Sequence, residues 1–483
     1  MTLAPGYEVR VGDRGPSAPD PGDVGALFLV GFAAKGPRYK SNEVRSFAEW
    51  KSIYGGKVSY SPTAAAVEGF FREGGSRLVF SRLWGSTWSP GEVTLLNAGS
   101  NPVVSVRTDD ADIDSATDYT IQVVDQGGSD RKVIIKYKGE TIHGAVYSDK
   151  TSCAAGILAV DGLFAQAEVS TWPIAVLPET PFSAGNDGHS GVTNDNFGYA
   201  LDYFDDVADR GPGQVAICES QDPEIQKIVW EHARTHNRFA LLAAPDTPIT
   251  DDVDDVAEDL RTDFGRDAGV GMVLAPWVTV EVENVSFTIP PEALVAGAMA
   301  RVDRSAVEGP GQPAAGDYGT LRWPTGVTQT FDEEAREQLN EAGVAILREM
   351  RSGIQLYGYR TAADPILWPQ YVEASGMRVL MAIRSEHERI ISTFVLRTID
   401  GNGHLLAELN GALSANLAGW YERRALYGAT PAEAFSVDAV SSTVNPPEQL
   451  AQRKISASAL VRTTPFAERV EVDITKIASA DTI

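Results

Sequence analysis

The sequence predicts a mixed α/β protein of several domains, built around a parallel sheet. At roughly 150 residues per domain, 483 residues correspond to about three domains. Between residues 214 and 303, short apolar segments alternate with amphipathic ones, which is typical of parallel strands joined by helical crossovers. Residues 86–180 instead contain strand-like segments separated by turn residues, so we expect a β-rich insertion there.

The first 22 residues predict an extended N-terminal arm. Tyr7, Val9 and Val11 alternate with polar residues and glycine, which is the period of a half-buried strand. Residues 13–23 follow as a run of Asp, Gly, Pro and Ser, which keeps this strand from folding back at once onto a local partner. The alternative is that these residues form the first strand of the nearest sheet.

An α/β core domain is predicted from residues 23–85 together with 181–305. Its best-marked helix begins at Ser61 and Pro62 and ends before Gly74, because Pro favours the first helical turn and Gly the C-terminal cap. The other elements predicted for this domain are strands at 26–31, 77–84, 214–218, 239–244 and 271–280, and helices at 46–54, 223–237, 251–264 and 290–303.

The β-rich insertion and a C-terminal domain complete the predicted globular part. Within 86–180 we expect strands at 103–107, 119–124 and 132–138, on the outside of the protein. A Gly/Pro-rich stretch then introduces the C-terminal domain, 306–463. Its predicted elements are helices at 332–350, 376–399 and 404–427 and strands at 353–360, 434–440 and 454–462.

Residues 464–483 predict a second arm, at the C-terminal end. Val470, Val472 and Ile474 alternate with polar residues after a turn-rich tether. An isolated strand leaves unpaired N–H and C=O groups on both edges, so two tethered strands predict pairing with the sheets of neighbouring copies. Such an exchange does not close on itself, and it therefore builds stacked rings or a helical tube.

The sequence offers no convincing catalytic, cofactor or metal site. No GxGxxG follows a predicted strand and no GxxxxGK[ST] occurs, so the parallel sheet lacks a phosphate loop. Asp187, His189 and Ser190 are neighbours, but a hydrolase triad draws its members from separate segments, and a polar turn is the simpler interpretation. Asp246 follows a predicted parallel strand, where α/β enzymes bind ligands, but a turn or helix cap explains it equally simply. We therefore predict no enzyme, no cofactor and no metal.

Composition narrows the partners. The formal net charge of −25, from 41 basic and 66 acidic residues, argues against binding to nucleic acid or to anionic membranes. Cys153 and Cys218 cannot build a disulfide framework or a zinc site, and we interpret them as small half-buried apolar residues. The N-terminal residues lack a basic-then-apolar signal pattern, so nothing there predicts secretion or membrane insertion.

Segments along most of the chain resemble those of one family. FFREGGSR (70–77) and the pairing of PWVTV (276–280) with PPEALVAGAMARVD (290–303) are the most specific. The other similar segments, in matching order, are PGYEVR (5–10), VGFAAKGP (30–37), SFAEWKSIYGG (46–56), AAAVEGFFREGGSRLVFSRL (64–83), GNDG (185–188), APWVTV (275–280) and LYGYRT (356–361). The sequence thus resembles the contractile tail sheath proteins of bacteriophages and related contractile injection systems.

Two segments depart from the family pattern. The paired arginines and aromatic residues usual after the LYGYRT-like strand are replaced by EASGMRVLMAIR (373–384), and the Phe-Glu-Pro-Asn-like signature by STFVLRTIDGNG (392–403). These departures affect the expected contacts between subunits and with the tube more than the fold.

The resemblance implies a structural subunit that polymerises around an inner tail tube and contracts to drive the tube through a cell envelope. Implied partners are further copies of the chain, the inner tube protein, and the baseplate and tail terminator proteins. The implied location is a phage virion, assembled in the cytoplasm of the host bacterium. A sheath of a non-phage injection system is the alternative within this class, and an α/β hydrolase or transferase is the alternative outside it.

The resemblance also implies where assembly contacts lie. The arm strands, with Tyr7, Val9, Val11, Val470, Val472 and Ile474, are expected to pair with a receiving sheet in the C-terminal domain. Candidate core residues of that sheet are Phe435, Val437, Ile455 and Leu460. Arg423 and Arg424 are candidate tube contacts, although two arginines at a helix C-terminus also complement the helix dipole.

Overall fold

The computed structural model describes residues 23–108, 115–160, 162–205, 210–282 and 284–468. Both predicted arm strands lie outside these residues. The described part confirms the mixed α/β class, with one eight-stranded sheet and four smaller antiparallel sheets.

The strands and helices divide the chain as follows. The strands are β1 (Leu27–Gly31), β2 (Ser41–Val44), β3 (Leu78–Arg82), β4 (Glu92–Leu96), β5 (Pro102–Thr108), β6 (Tyr119–Gly127), β7 (Asp130–Tyr137), β8 (Glu140–Tyr147), β9 (Leu163–Ala167), β10 (Leu177–Pro181), β11 (Gly213–Ile217), β12 (Arg238–Ala243), β13 (Gly271–Ala275), β14 (Val278–Val282), β15 (Val285–Ile289), β16 (Gly326–Val327), β17 (Val344–Met350), β18 (Gly353–Tyr357), β19 (Phe435–Asp438) and β20 (Ser458–Val461). The helices are α1 (Phe47–Tyr54), α2 (Thr63–Glu73), α3 (Ser115–Asp118), α4 (Lys150–Leu158), α5 (Asn194–Asp202), α6 (Pro223–Thr235), α7 (Thr250–Phe264), α8 (Glu292–Ser305), α9 (Glu333–Ala342), α10 (Ala374–Ser392), α11 (His404–Glu422), α12 (Pro431–Ala434) and α13 (Pro447–Ala451).

The central sheet has the order β18-β17-β13-β12-β11-β1-β3-β2. Its six inner strands are parallel, and β2 and β18 close the two edges in the antiparallel sense. Helices α2, α8 and α10 pack on one face and α5, α6, α7 and α9 on the other, each with its own apolar cluster. Burial on both faces explains why strands such as β1 (LFLVG) are continuous apolar runs.

Two sequence predictions in this sheet were wrong. The helix expected over 332–350 ends at Ala342, because Gly343 takes a left-handed conformation (φ 88°), and the apolar run that follows is strand β17. The strand expected over 271–280 is divided at Pro276 into β13 and β14, because proline cannot donate to the ladder.

The predicted domain boundary at residue 306 does not coincide with a break in the central sheet. Strands β17 and β18 lie beyond that boundary, yet they complete the sheet at one edge. The part of the C-terminal region outside the sheet is the helical pair α10–α11 with β19 and β20. Helix α10 ends at Ser392 and α11 at Glu422, earlier than predicted, so 393–403 is a connecting loop.

Residues 86–180 contain two antiparallel sheets, β4-β5-β9 and β10-β6-β7-β8, which together with α4 enclose a separate apolar cluster. The chain enters and leaves this insertion through adjacent segments. Ser89 and Asn186 exchange backbone N–H···O hydrogen bonds of 3.0 and 2.8 Å, and the Gly85 N–H donates to the Gly188 carbonyl.

The helical pair is fixed to the body of the protein by a buried ion pair. The Arg378 guanidinium on α10 donates to both carboxylate oxygens of Asp303 on α8, at 2.9 and 2.5 Å, and also to the Tyr359 hydroxyl. Removing one partner of a buried pair typically costs about 3–5 kcal/mol, so this contact holds α10 rigidly on α8. No helix among the described residues is long and apolar enough to cross a bilayer.

Candidate functional site

The segments predicted to form a receiving sheet contain a two-stranded antiparallel ladder of β19 and β20. Phe435 pairs with Val461, Ser436 with Leu460, Val437 with Ala459 and Asp438 with Ser458. The side chains of Phe435 and Val437 point to one face, where they pack against the apolar clusters of α10 and α11.

The outer edge of β20 is open. The Arg462 N–H donates to the Ala434 carbonyl, so by the alternation of an antiparallel ladder Leu460 and Ser458 also face β19. The backbone groups of Ala459 and Val461 therefore face away from β19, and no described strand pairs with them. Such an edge is a template for one further strand.

Two of the four predicted core residues have a different role. Leu460 is 69% exposed, because its side chain points to the face opposite Phe435 and Val437. Ile455 precedes β20 rather than lying on it, and packs against the small cluster around Leu405 and Leu409. The alternating sequence pattern indicated a strand, but it did not show which face of that strand packs against α10 and α11.

The connection between β19 and β20 is held by one buried amide. Asn445 donates from Nδ2 to the carbonyls of Ala439 and Ser456, both at 2.8 Å, and its Oδ1 accepts from the Ser456 N–H at 2.8 Å. These three bonds fix the start of β20 relative to the end of β19.

Arg423 and Arg424, the predicted tube contacts, lie at the end of α11 next to the exit of β20. Both are exposed, and neither forms an ion pair with a carboxylate in the described part of the chain. The Arg424 carbonyl accepts a 2.7 Å hydrogen bond from the Thr464 hydroxyl, and Leu426 bridges Thr463. The structure thus brings these arginines to the same end of the protein as the open sheet.

The place where α/β sheets of this topology bind ligands is filled by a side chain. After β1, the chain adds β3 on one side of it and then β11, β12 and β13 on the other side. In sheets of this topology, ligands bind in the crevice at the carboxyl ends of the two strands where the order switches, here β1 and β11. There the Glu219 carboxylate accepts hydrogen bonds from the Phe32 N–H (3.1 Å), the Ser61 hydroxyl (2.5 Å) and the Thr63 hydroxyl. Burial raises the pKa of Glu219, and these donors oppose that rise. A protein carboxylate takes up the donors that a bound phosphate would use.

The polar residues weighed as catalytic candidates make structural contacts. His189 Nδ1 lies 2.8 Å from Asp187 Oδ1 and its ring stacks on Tyr60, but the Ser190 hydroxyl pairs with Thr87 instead. This loop lies where the insertion joins the α/β body. Asp246 accepts a 2.5 Å hydrogen bond from the Thr328 hydroxyl, tying two loops together.

One donor cluster was missed by the sequence analysis. Asp205, His232 and His236 place ligand atoms within 4.8 Å of one another. The available signal was the spacing of the two histidines, which lie four residues apart in the last turn of α6 and at its C-terminal cap. Arg238 Nη1 lies 2.5 Å from His232 Nε2, and because arginine only donates, Nδ1 of His232 must carry the ring proton. With Nε2 occupied by the guanidinium and Nδ1 protonated, His232 offers no lone pair to a metal ion.

Both cysteines are free and fully buried, rather than half-buried as predicted. Burial raises the pKa of the Cys153 thiol to about 12, and it raises that of Cys218 as well. They behave as apolar core residues.

Comparison with known proteins identifies the fold. No protein-family model matches the sequence, and no curated protein matches it. Among solved structures, the chain is similar to a sheath tail protein from Listeria innocua (13% identity, TM-score 0.60), over 86% of this chain and 88% of that one.

Two contracted assemblies are similar over almost the full length. The helical sheath of the anti-feeding prophage has 14% identity and a TM-score of 0.59, with 98% of this chain and 99% of that chain covered. The sheath of an extracellular contractile injection system has 13% identity and a TM-score of 0.56, with 98% of each chain covered. The resemblance expected from the sequence is confirmed at the level of structure: the chain has the fold of contractile tail sheath proteins.

Proposed function

We propose that this chain is a structural subunit of a contractile tail sheath, in which copies join into stacked rings or a helical tube around an inner tail tube. The observation that carries the proposal is the similarity to sheath chains over almost the whole length. The open edge of β20 supports it, because a polymer joined by strand exchange needs an acceptor of this kind.

In this proposal the arm strands of neighbouring copies, with Val9 and Val472 near their centres, add to the β19–β20 ladder. Main-chain hydrogen bonds would supply affinity and the alternating apolar side chains would set the register. Contraction would then rotate rigid bodies while the paired strands keep copies connected, and small differences per subunit would add over many copies. The subunit itself carries out no chemical reaction.

The further partners follow from the same proposal. The inner tube protein would meet the end of α11 at Arg423 and Arg424, and the baseplate and tail terminator proteins would bind the two ends of the polymer. A phage virion assembled in the host cytoplasm and a non-phage injection system are both compatible with this fold, since sheaths of injection systems are among the similar structures.

Electron microscopy of the purified chain tests the proposal. We expect stacked rings or tubes from the full-length protein and none after deletion of residues 1–20. The matched control replaces residues 1–20 by a Gly/Ser segment of the same length, which keeps the tether but not the alternating strand, and should also fail to assemble. Tubes from either variant would refute strand exchange by the N-terminal arm. Separately, an enzymatic activity that is lost in Glu219→Gln would favour the hydrolase alternative.

A further inference from the structure

An apolar groove of about 790 Å³ lies beside the start of β20. One wall is the 393–399 loop between α10 and α11, and the opposite wall is the 450–457 segment that leads into β20. Leu405 and Leu409 of α11 form part of its floor. The groove therefore ends at Ala457, next to the first residue of β20.

The loop that forms one wall buries Phe394 but leaves Val395 and Leu396 exposed. Leu396 has φ 64° and is fully solvent-exposed, a backbone conformation that is costly for a leucine. The loop is fixed on both sides, by the ion pair of Arg397 with Glu408 (2.5 Å) and by Asp400, which caps the start of α11. An apolar wall that is kept open in this way marks a contact surface rather than a collapsed loop.

The opposite lip is basic, on a chain whose net charge is −25. Arg453 and Lys454 line the groove and are exposed, and neither forms an ion pair with a carboxylate in the described residues. An occupant that combines apolar side chains with acidic ones would match both the floor and the lip.

The direction of β20 indicates which segment reaches the groove. A strand that pairs with β20 in the antiparallel sense runs from Val461 towards Ser458, and its continuation passes Ala457 and Ile455. If residues 470–474 form that strand, the residues after Ile474 enter the groove. They read TKIASADTI, with Ile477 and Asp481, whereas the N-terminal arm continues into a turn-rich, Pro-containing stretch.

We propose that residues 475–483 of a neighbouring copy occupy this groove, with Ile477 against its apolar floor and Asp481 facing Arg453 and Lys454. The proposal rests on the proposed function, in which the occupant comes from another copy and its residues 470–474 pair with β20. At about 3.3 Å per extended residue, these nine residues can span about 30 Å.

Photo-crosslinking of the full-length chain tests this. A benzoylphenylalanine at position 477 should crosslink to residues 391–399 or 450–457, and mixing light and heavy isotope-labelled chains should yield light–heavy pairs. Leu396→Asp should reduce these crosslinks about tenfold, because it places a charge in an apolar site. Ile366→Asp, at an equally exposed apolar residue outside the groove, is the control and should not change them.

A charge exchange tests the lip separately. Lys454→Glu should weaken the crosslink, and the double variant Lys454→Glu with Asp481→Lys should restore it, whereas Arg351→Glu should have no effect. Crosslinks that avoid the groove, or that join only residues of one copy, would overturn the proposal. Groove crosslinks without tubes would support the groove assignment and refute the sheath function. Tubes without groove crosslinks would support the sheath function and refute the groove assignment.

Discussion

The β-rich insertion and the β19–β20 ladder are both β structures on the surface of one α/β body, but only the insertion completes its own fold. Strands β4 to β10 form two sheets around a shared apolar cluster. The ladder has two short strands and leans on α10 and α11 through a few residues such as Val437. A two-stranded hairpin is marginal alone, so the ladder depends on what it contacts.

The edge strands of the two regions also differ in how readily they could pair with a further strand. Edge strand β10 of the insertion contains Pro178 and Pro181, which lack an N–H and so hinder a further strand. Strand β20 reads SALV, with neither proline nor charge. The comparison teaches that the β10 edge of the insertion is protected against pairing, whereas β20 is suited to it.

The strongest way to break this comparison is Ala459→Pro. The Ala459 N–H faces the open edge, so proline removes a donor for an incoming strand while sparing the bonds to β19. We expect assembly to be lost in electron micrographs with little change in melting temperature. Ala459→Val keeps the N–H and is the control, which should assemble normally. Tubes formed by the proline variant would show that this edge is not an acceptor.

Asn445→Ala should have the next largest effect. It leaves the Ala439 carbonyl and both backbone groups of Ser456 without their partner, and we expect a loss of about 3 kcal/mol in unfolding free energy, measured by urea denaturation of the C-terminal region. Gln452→Ala, an exposed change in the same segment, should cost less than about 0.5 kcal/mol. Equal losses for the two variants would mean that the ladder is not held by this amide.

Glu292→Gln should reveal a pH dependence that belongs to the α/β body. Burial raises the pKa of Glu292 from 4.5 to about 8, and its Oε2 has no hydrogen-bond partner in the described structure. The folded state therefore binds more protons than the unfolded state between these values, so stability falls as pH rises from about 5 to 8.

In Glu292→Gln this decline should be reduced, and the variant should be more stable than the parent at pH 8 by thermal unfolding. Glu258→Gln, on the exposed side of α7, should keep the parent's decline. A decline that persists unchanged in Glu292→Gln would assign the pH dependence to another group.

Excising the insertion should have the smallest effect on the rest of the protein. Ser89 and Asn186 are bridged, so their Cα atoms lie about 5 Å apart and a Gly-Gly turn can replace residues 90–185. We expect the melting temperature of the body to change by less than about 3 °C and assembly to persist. Val133→Asp, which buries a charge in the insertion alone, is the companion variant. Failure of the shortened chain to fold would mean that the α/β body depends on the insertion.

The sequence was most informative where one signal dominates. Continuous apolar runs predicted the buried parallel strands, and the proline and glycine flanking α2 placed its ends within about two residues. It failed where two elements meet at a single residue, as at Gly343, because an apolar run after a helix is compatible with either structure.

The candidate site was only partly predictable. The sequence predicted strand β19, but it could not tell that Leu460 faces outward, since that depends on which side α10 and α11 cover. The contacts of Glu219 required knowledge of the strand order, which brings together residues far apart in sequence. The open edge of β20 is likewise a property of topology rather than of composition.

The buried Arg378–Asp303 pair has a mechanical consequence. Because this pair joins α10 to α8 directly, a force on the β19–β20 ladder is transmitted through α10 to the α/β body. Movement of the ladder then moves the α/β body with it, instead of deforming the contact between α10 and α8. In the proposed sheath, a large change in the spacing of copies would then be taken up at the contacts between protomers rather than within them.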